Sequence, residues 1–234
     1  MSSPVSTSTH ISQQYDNELE DLRSKVLSMG GIVEDHLVKV ISTLSTTQFE
    51  GVEYVAKSDH LVNACEVEID RMCTEILLRR TPAASDLRLV LAIFKTITDL
   101  ERIGDETEKI ARLVLNLKSP KAITIYYTGI LAIANGVRRM LREALNAFAR
   151  MDSKGAVEVS LIDKEIDDGI DVIMRQLITF TLEDASVISA VLDAVLAARA
   201  LERIGDHSRN ICENTIYLVE GIDVRHGEGE SIEP

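Results

Sequence analysis

Apolar residues recur at intervals of three and four along most of the chain, and strict alternation of apolar and polar residues is rare. This periodicity is typical of amphipathic α-helices rather than of strands. Of the four prolines, Pro82 and Pro120 lie away from the termini, and each is expected to follow the end of a helix. The pattern therefore predicts an all-α protein. We expect roughly six long helices, at about 11–46, 51–80, 84–117, 122–150, 154–181 and 185–220.

Part of the sequence is repeated. The word Leu-Glu-Arg-Ile-Gly-Asp begins at Leu100 and again at Leu201, and the same offset of 101 positions aligns Ile69 with Ile170 without a gap. Long helices with short connections pack as bundles, so we predict two tandem, pseudo-symmetric three-helix bundles that join near Pro120. The bundles are expected at about 10–118 and 121–221, with a disordered tail at about 1–9 and an acidic tail at about 222–234.

Carboxylates interrupt the apolar stripe of the predicted core helices. In the third helix the stripe passes through Phe94 and Ile97 and then reaches Glu101 and Asp105. The helix before it, and both corresponding helices of the second unit, carry the same acid-x-x-x-Asp spacing. Residues four apart lie on one helix face. The four pairs are Glu66/Asp70, Glu101/Asp105, Asp167/Asp171 and Glu202/Asp206.

Two such helices facing each other would gather four carboxylates in each unit. Clustered carboxylates repel unless a cation or protons neutralise them, and an all-oxygen ligand set suits Mg²⁺, Ca²⁺, Mn²⁺ or ferric iron. We therefore predict a metal site in each unit, with ion pairing by Arg102, Arg203 or neighbouring bases as the alternative. Asp163 adds a possible further ligand in the second unit, where the first has Val62, so we expect the two sites to differ.

Two glycines and one histidine lie beside these acids. Gly104 and Gly205 fall inside predicted helices, where glycine costs up to about 1 kcal/mol relative to alanine. Close helix packing, or room for an ion, would offset that cost. His207 follows the second repeated word, but the first unit has Glu106 at the matching position. Because a ligand used in both sites would not differ in this way, we expect His207 to be a surface residue.

The composition narrows the class of protein. The 234 residues carry 25 Lys plus Arg and 38 Asp plus Glu, a formal net charge of −13. A nucleic-acid-binding protein needs a basic face and often uses stacking aromatics, but aromatic residues make up only 4% and Trp is absent. No secretory leader and no bilayer-length apolar run is seen, so we expect a cytoplasmic protein. Three cysteines without a Cys-x-x-Cys pair are expected to be reduced core residues.

In addition to the acid pairs, several other segments are informative about the family. They are His10–Asp16, Met29–Gly31, both Leu-Glu-Arg-Ile-Gly-Asp words and Ile211–Glu213. At these segments the sequence resembles the PhoU family, the regulators of bacterial phosphate uptake and signalling, and the resemblance covers about residues 10–220. It implies two three-helix bundles that bind multinuclear metal clusters through the acid-x-x-x-Asp motifs. The metals it implies are iron, zinc or other divalent ions such as Mg²⁺ and Mn²⁺.

The resemblance also implies a function without catalysis. PhoU-like proteins act as adaptors between the ATPase subunit of the phosphate ABC transporter and a membrane sensor histidine kinase. They keep the phosphate-starvation regulon silent when phosphate is plentiful. On this basis we expect a homodimer that is peripheral to the inner membrane through its partners and binds no nucleic acid.

The residues leave two other functions open. One is a carboxylate-bridged di-metal enzyme, an oxidase or ferroxidase in a helical bundle. Such sites normally use Glu-x-x-His on two helices, and no His in this chain has Glu three residues before it. The other is a metal-free helical scaffold. Nucleotide binding has no support, because Gly30 and Gly31 lack the Gly-Lys-Ser/Thr that completes a phosphate loop.

Overall fold

The computed structural model describes residues 7–117 and 120–224, and these ranges are helical without strands. The helices are α1 (Thr7–Thr46), α2 (Glu50–Arg79), α3 (Ala84–Leu117), α4 (Pro120–Arg150), α5 (Ser153–Ser160), α6 (Ile162–Glu183) and α7 (Ile188–Glu220), with a 3₁₀ turn at Ala185–Val187. The predicted all-α class is confirmed. Helix α1 begins inside the segment predicted as a tail, and the outer parts of both predicted tails lie outside the described residues. Within the described ranges, every helix is too short or too polar to cross a bilayer.

The helix predicted at about 154–181 is wrong as a single helix, because Leu161 separates α5 from α6. Leu161 keeps right-handed helical angles, with φ −73° and ψ −19°. The Ser160 hydroxyl donates to the Val157 carbonyl at 2.7 Å, and the Leu161 N–H points to the Val159 carbonyl. A serine that bonds to its own helix backbone competes with the helical hydrogen-bond ladder. Here that bond accompanies a break that the apolar periodicity does not indicate.

The helices form two bundles that share one core. Helices α1, α2 and α3 pack on one another, as do α4, α5, α6 and α7. The bundles meet where α3 packs along α7, the most extensive helix pair, and where α1 packs on α4. Leu100 and Ile103 of the first repeated word are buried, as are Leu201 and Ile204 of the second. The buried apolar residues form one continuous cluster through both bundles.

The three cysteines are free thiols that differ in burial. Cys73 and Cys212 are fully buried, and burial raises the pKa of each thiol to about 12. Cys65 is half-buried, and burial raises the pKa of its thiol as well. Because the thiolate is the nucleophile, the two core thiols are inert in the folded protein.

Iodoacetamide at about pH 8 is therefore expected to alkylate Cys65 first in the folded protein, while Cys73 and Cys212 react only after unfolding. Mass spectrometry of tryptic peptides over a time course measures each site. Protein unfolded in urea is the control, in which all three thiols become accessible. Labelling of Cys212 as fast as that of Cys65 in the folded protein would contradict the burial of this face of α7.

Candidate metal sites and the junction between the bundles

In the first bundle, acids of α2 and α3 lie close to one another. Glu66 and Asp70 are half-buried on α2. Burial raises the pKa of Glu66 above its usual value, and the charges of Asp70 and Asp105 raise it further. Since Asp105 belongs to α3, the two helices place carboxylates against each other. Glu101, one turn before Asp105, is half-buried and lies on the same face of α3.

The second bundle gathers acids from α6 and α7 in the corresponding way. Asp167 is exposed on α6, but partial burial still raises its pKa above the usual value, and the charges of Asp206 and then Glu202 add to this effect. Asp171 lies one turn further along α6 and is exposed; its charge acts on Arg199. Asp105 of α3 thus acts on Glu66 of α2, and Glu202 and Asp206 of α7 act on Asp167 of α6. That these acids bind metal stays a prediction.

Ion pairing also occurs at the second site, through neighbouring bases rather than through Arg203. Arg203 pairs with Glu106 of α3 at 2.6 Å instead of with a site acid. The Arg199 guanidinium donates to Glu202 at 2.5 Å, and Arg209 pairs with Asp206 at 3.2 Å. At the positions of Arg199 and Arg209, the first bundle has Thr98 and Glu108. The second site is therefore partly neutralised by its own bases, and the first lacks bases at those two positions.

The two glycines of the repeated words lie where a neighbouring helix packs closely against them. A Cβ atom on Gly104 would lie 3.2 Å from Cγ1 of Val62 on α2, and one on Gly205 would lie 3.3 Å from Oδ1 of Asp163 on α6. Both distances are shorter than ordinary van der Waals contact. Of the two explanations offered for these glycines, close helix packing is the one that the contacts support.

Asp163 occupies the position in the second bundle that Val62 occupies in the first, and it is buried. Its Oδ2 pairs with the guanidinium of Arg209, whereas its Oδ1 has no hydrogen-bond partner among the described residues. Burial raises the pKa of Asp163, and the opposing charge of Arg209 only partly offsets it. The charges of Asp167 and Asp206 raise the pKa further. Asp163 therefore brings an incompletely satisfied carboxylate to the edge of the second acid group.

The acid groups fit a hard cation by their chemistry. They offer only oxygen ligands, and carboxylates of the facing helix raise the pKa of Glu66 in one group and of Asp167 in the other. One buried oxygen of Asp163 also has no hydrogen-bond partner among the described residues. In the described ranges, however, no three His, Cys, Asp or Glu side chains are placed so that they could hold one metal ion. An ion would bind only after several of these side chains turned toward a common point.

The junction between the bundles contains a polar cluster that the sequence reasoning missed. Asp99 of α3 is buried and accepts three hydrogen bonds from α7: from His207 Nδ1 at 3.0 Å, Asn210 Nδ2 at 3.0 Å and Asn214 Nδ2 at 3.3 Å. The expectation that His207 is a surface residue is wrong, since its side chain is only 17% exposed. The change from Glu106 to His207 between the repeats was the sequence feature that could have pointed to this cluster. A difference between repeats does not, however, show which residue the histidine contacts.

Comparison with known proteins places these features in a family. The model of the PhoU domain matches residues 26–114 and again 130–215. The chain is 46% identical to the phosphate-specific transport system accessory protein PhoU homolog of Pseudomonas aeruginosa, over 93% of this chain and 90% of that protein. A crystal structure of PhoU from Pseudomonas aeruginosa aligns with a TM-score of 0.83 at 43% identity, covering 89% of this chain and 100% of that one. The phosphate transport system regulatory protein PhoU from Streptococcus pneumoniae aligns with a TM-score of 0.80 at 28% identity, covering 90% and 99%.

Proposed function

Because this chain belongs to the PhoU family, we propose that it represses the phosphate-starvation regulon when phosphate is plentiful, as an adaptor between the phosphate ABC transporter and a sensor histidine kinase. It is an accessory, regulatory protein of a phosphate transport system and not an enzyme. The ATPase subunit of the transporter and the kinase are its proposed partners, at the cytoplasmic face of the membrane.

The observation that carries this proposal is the match of the family through both bundles. The PhoU domain is found twice, once on each side of the junction, and the relative from Escherichia coli, a phosphate-specific transport system accessory protein PhoU, is 42% identical over 96% of this chain. Identity of that extent covers helix surfaces as well as the core. A function carried by those surfaces is therefore expected to be shared.

Exposed apolar side chains support a role in protein–protein contacts. Leu78 near the end of α2 is 80% exposed, and Leu182 near the end of α6 is 81% exposed. Leu192 of α7 and its repeat counterpart Leu91 of α3 are also exposed. Grouped exposed apolar residues are typical of interaction sites. We assign these helix ends to contacts with the proposed partners and with the second copy of the homodimer. More than one surface of the protein would then form contacts.

We further propose that each acid group binds metal, as iron, zinc, Mg²⁺ or Mn²⁺. The ligands would be drawn from Glu66, Asp70, Glu101 and Asp105 in the first bundle, and from Asp167, Asp171, Glu202 and Asp206, with Asp163, in the second. Bound cations would supply positive charge that neutralises the facing carboxylates and ties α2 to α3 and α6 to α7. The raised pKa values of Glu66 and Asp167 support this proposal. Burial is the larger cause of both, and the charges of neighbouring carboxylates add to it, so a bound cation would relieve both effects.

The adaptor function is tested in a bacterium that lacks its own PhoU protein and carries a phosphate-regulated reporter. Expression of this chain in phosphate-rich medium is expected to return the reporter to the repressed level, and affinity purification is expected to recover the kinase and the transporter ATPase. The Leu78→Asp and Leu182→Asp variants test the exposed helix ends, and Lys154→Glu on the exposed side of α5 is a surface control. A reporter that stays active with stable wild-type protein present would refute the proposal.

A further inference from the structure

The junction between the bundles contains a cavity of about 580 Å³. It is formed by the end of α2, the middle of α3 and the second half of α7. The lining residues are Leu77, Leu91, Phe94, Lys95, Thr98, Asp99, Arg102, Asn210 and Asn214. Small-molecule sites in proteins commonly enclose about 300–1,000 Å³. The lining includes none of the predicted metal ligands, and Leu91 is the one lining residue that the proposed function also uses.

The walls of this cavity combine apolar and cationic groups. Leu77, Leu91 and Phe94 are each more than one third exposed, so they present apolar surface to solvent. Lys95 and Arg102 contribute the charges, and Lys95 Nζ lies 4.8 Å from the ring centroid of Tyr217. Neither cation forms an ion pair with any residue in the described ranges 7–117 and 120–224. On a chain with a net charge of −13, one cavity thus holds two cations that have no carboxylate partner.

The single carboxylate in the cavity wall does not neutralise these cations. Asp99 is buried, and its oxygens accept the hydrogen bonds of His207, Asn210 and Asn214. Because three donors of α7 hold its oxygens, Asp99 does not form an ion pair with Lys95 or Arg102. Its charge remains, so the cavity wall carries two cations against one carboxylate and is positive by about one charge.

The repeat explains why Arg102 has no ion-pair partner in the part of the chain that the structure describes. Its counterpart Arg203 pairs with Glu106 across the junction at 2.6 Å, and Lys109 pairs with the same carboxylate at 2.9 Å. The position equivalent to Glu106 in the second unit is His207, and His207 bonds to Asp99. Arg203 therefore has Glu106 as its ion-pair partner, whereas the residue at the corresponding position for Arg102 is a histidine instead of an acid. One end of the junction is closed by ion pairs, and the other end holds the cavity.

We propose that this cavity is a binding site for a small organic anion. The apolar body of the ligand packs against Leu91 and Phe94, and its phosphate or carboxylate group binds to Arg102 and Lys95. A guanidinium presents paired N–H donors that match either group, and the ammonium of lysine adds a compact charge. Because the wall includes both α3 and α7, an occupied site contacts both bundles at once.

The test is an amide chemical-shift titration of the ¹⁵N-labelled full chain with phenyl phosphate, which combines a phosphate with an aromatic ring. Saturable shifts are expected in α3 and α7 around the cavity. Inorganic phosphate and benzyl alcohol, which each carry half of the ligand, are expected to bind about tenfold more weakly or worse, since the charged hydrogen bonds and the apolar contact act together. Benzoate distinguishes the source of charge: binding as tight as that of phenyl phosphate assigns the site to carboxylates as well.

Arg102→Gln is expected to weaken phenyl phosphate binding about tenfold or more, because it removes the bidentate donor. The matched control is Arg203→Gln, the same change at the repeat-equivalent position, which lies outside the cavity and should leave the affinity unchanged. Phe94→Ala is expected to weaken phenyl phosphate and leave inorganic phosphate unaffected. The inference is overturned by shifts that do not saturate, or by equal losses in the Arg102 and Arg203 variants. Neither outcome bears on repression of the reporter, so failure here is distinct from failure of the adaptor function.

Discussion

Replacing Arg209 by Gln is expected to lower the free energy of unfolding by about 3 kcal/mol, because breaking a buried ion pair leaves an uncompensated charge. Asp163 is 5% exposed in its side chain, and Arg209 is the cation that pairs with it. Arg209 also pairs with Asp206 at 3.2 Å and Glu213 at 3.6 Å. Without its guanidinium, the repulsion among these acids is no longer offset. Urea unfolding followed by circular dichroism measures the change.

The first bundle supplies the matched control for this prediction. Its residue at the Asp163 position is Val62, which packs against Gly104 as Asp163 packs against Gly205. Asp163→Val is therefore expected to fold, and Arg209→Gln in that background should cost less than about 1 kcal/mol, since the remaining pairs are partly exposed. An equal loss in both backgrounds would show that Arg209 stabilises the fold by other contacts than the pair with Asp163.

Metal binding is expected to have the second large effect. After treatment with chelator, Mn²⁺ at about 100 times the dissociation constant of a site should add roughly 2.7 kcal/mol of stability for each site that it fills. That corresponds to a rise in melting temperature of about 5–10 °C for a chain of this size. Mn²⁺ is a suitable probe because it prefers oxygen ligands. Differential scanning calorimetry with and without the ion measures the shift, and elemental analysis counts the ions bound.

Carboxamide variants assign that stabilisation to the acid groups. The double variant Glu66→Gln/Asp105→Asn should remove the metal-dependent stabilisation of the first bundle. The double variant Asp167→Asn/Asp206→Asn should remove the metal-dependent stabilisation of the second. Without metal, Glu66→Gln is expected to be at least as stable as wild type, because it removes a carboxylate that its neighbours oppose. Asp168→Asn, next to Asp167 but outside the predicted ligands, is the control. Stabilisation that survives in both double variants, or its absence in the wild type, would favour the metal-free scaffold.

The bases around the second site lead us to expect unequal metal affinities. Arg199 and Arg209 already pair with its acids, so a cation must displace or tolerate them. The first bundle has Thr98 and Glu108 at those positions. We therefore expect the first bundle to fill at lower metal concentration. The sequence indicated a difference between the sites through Asp163 but not its direction, because the pairing of Asp163 with Arg209 is a contact between helices.

Much of the fold could be predicted because it depends on local periodicity. The bounds of α3 were predicted without error, since an apolar stripe with period 3.6 defines both the helix and its buried face. The repeated word and its offset indicated two related units, which the twofold match of the family model supports. The break at Leu161 was missed, because it leaves the apolar spacing of the two helices unchanged.

The sequence by itself determined the helical class, the buried faces, the repeat and the spacing of the acids along each helix. Only the tertiary structure decided which side chains meet across the helices: Asp99 with His207, Arg203 with Glu106, and Arg209 with Asp163. These contacts join residues far apart in the chain, and they depend on the rotation and register of one helix against another. Side-chain spacing in one helix sets its own faces but not the neighbour that each face meets. For that reason the cavity beside Arg102 is a property of the packed junction.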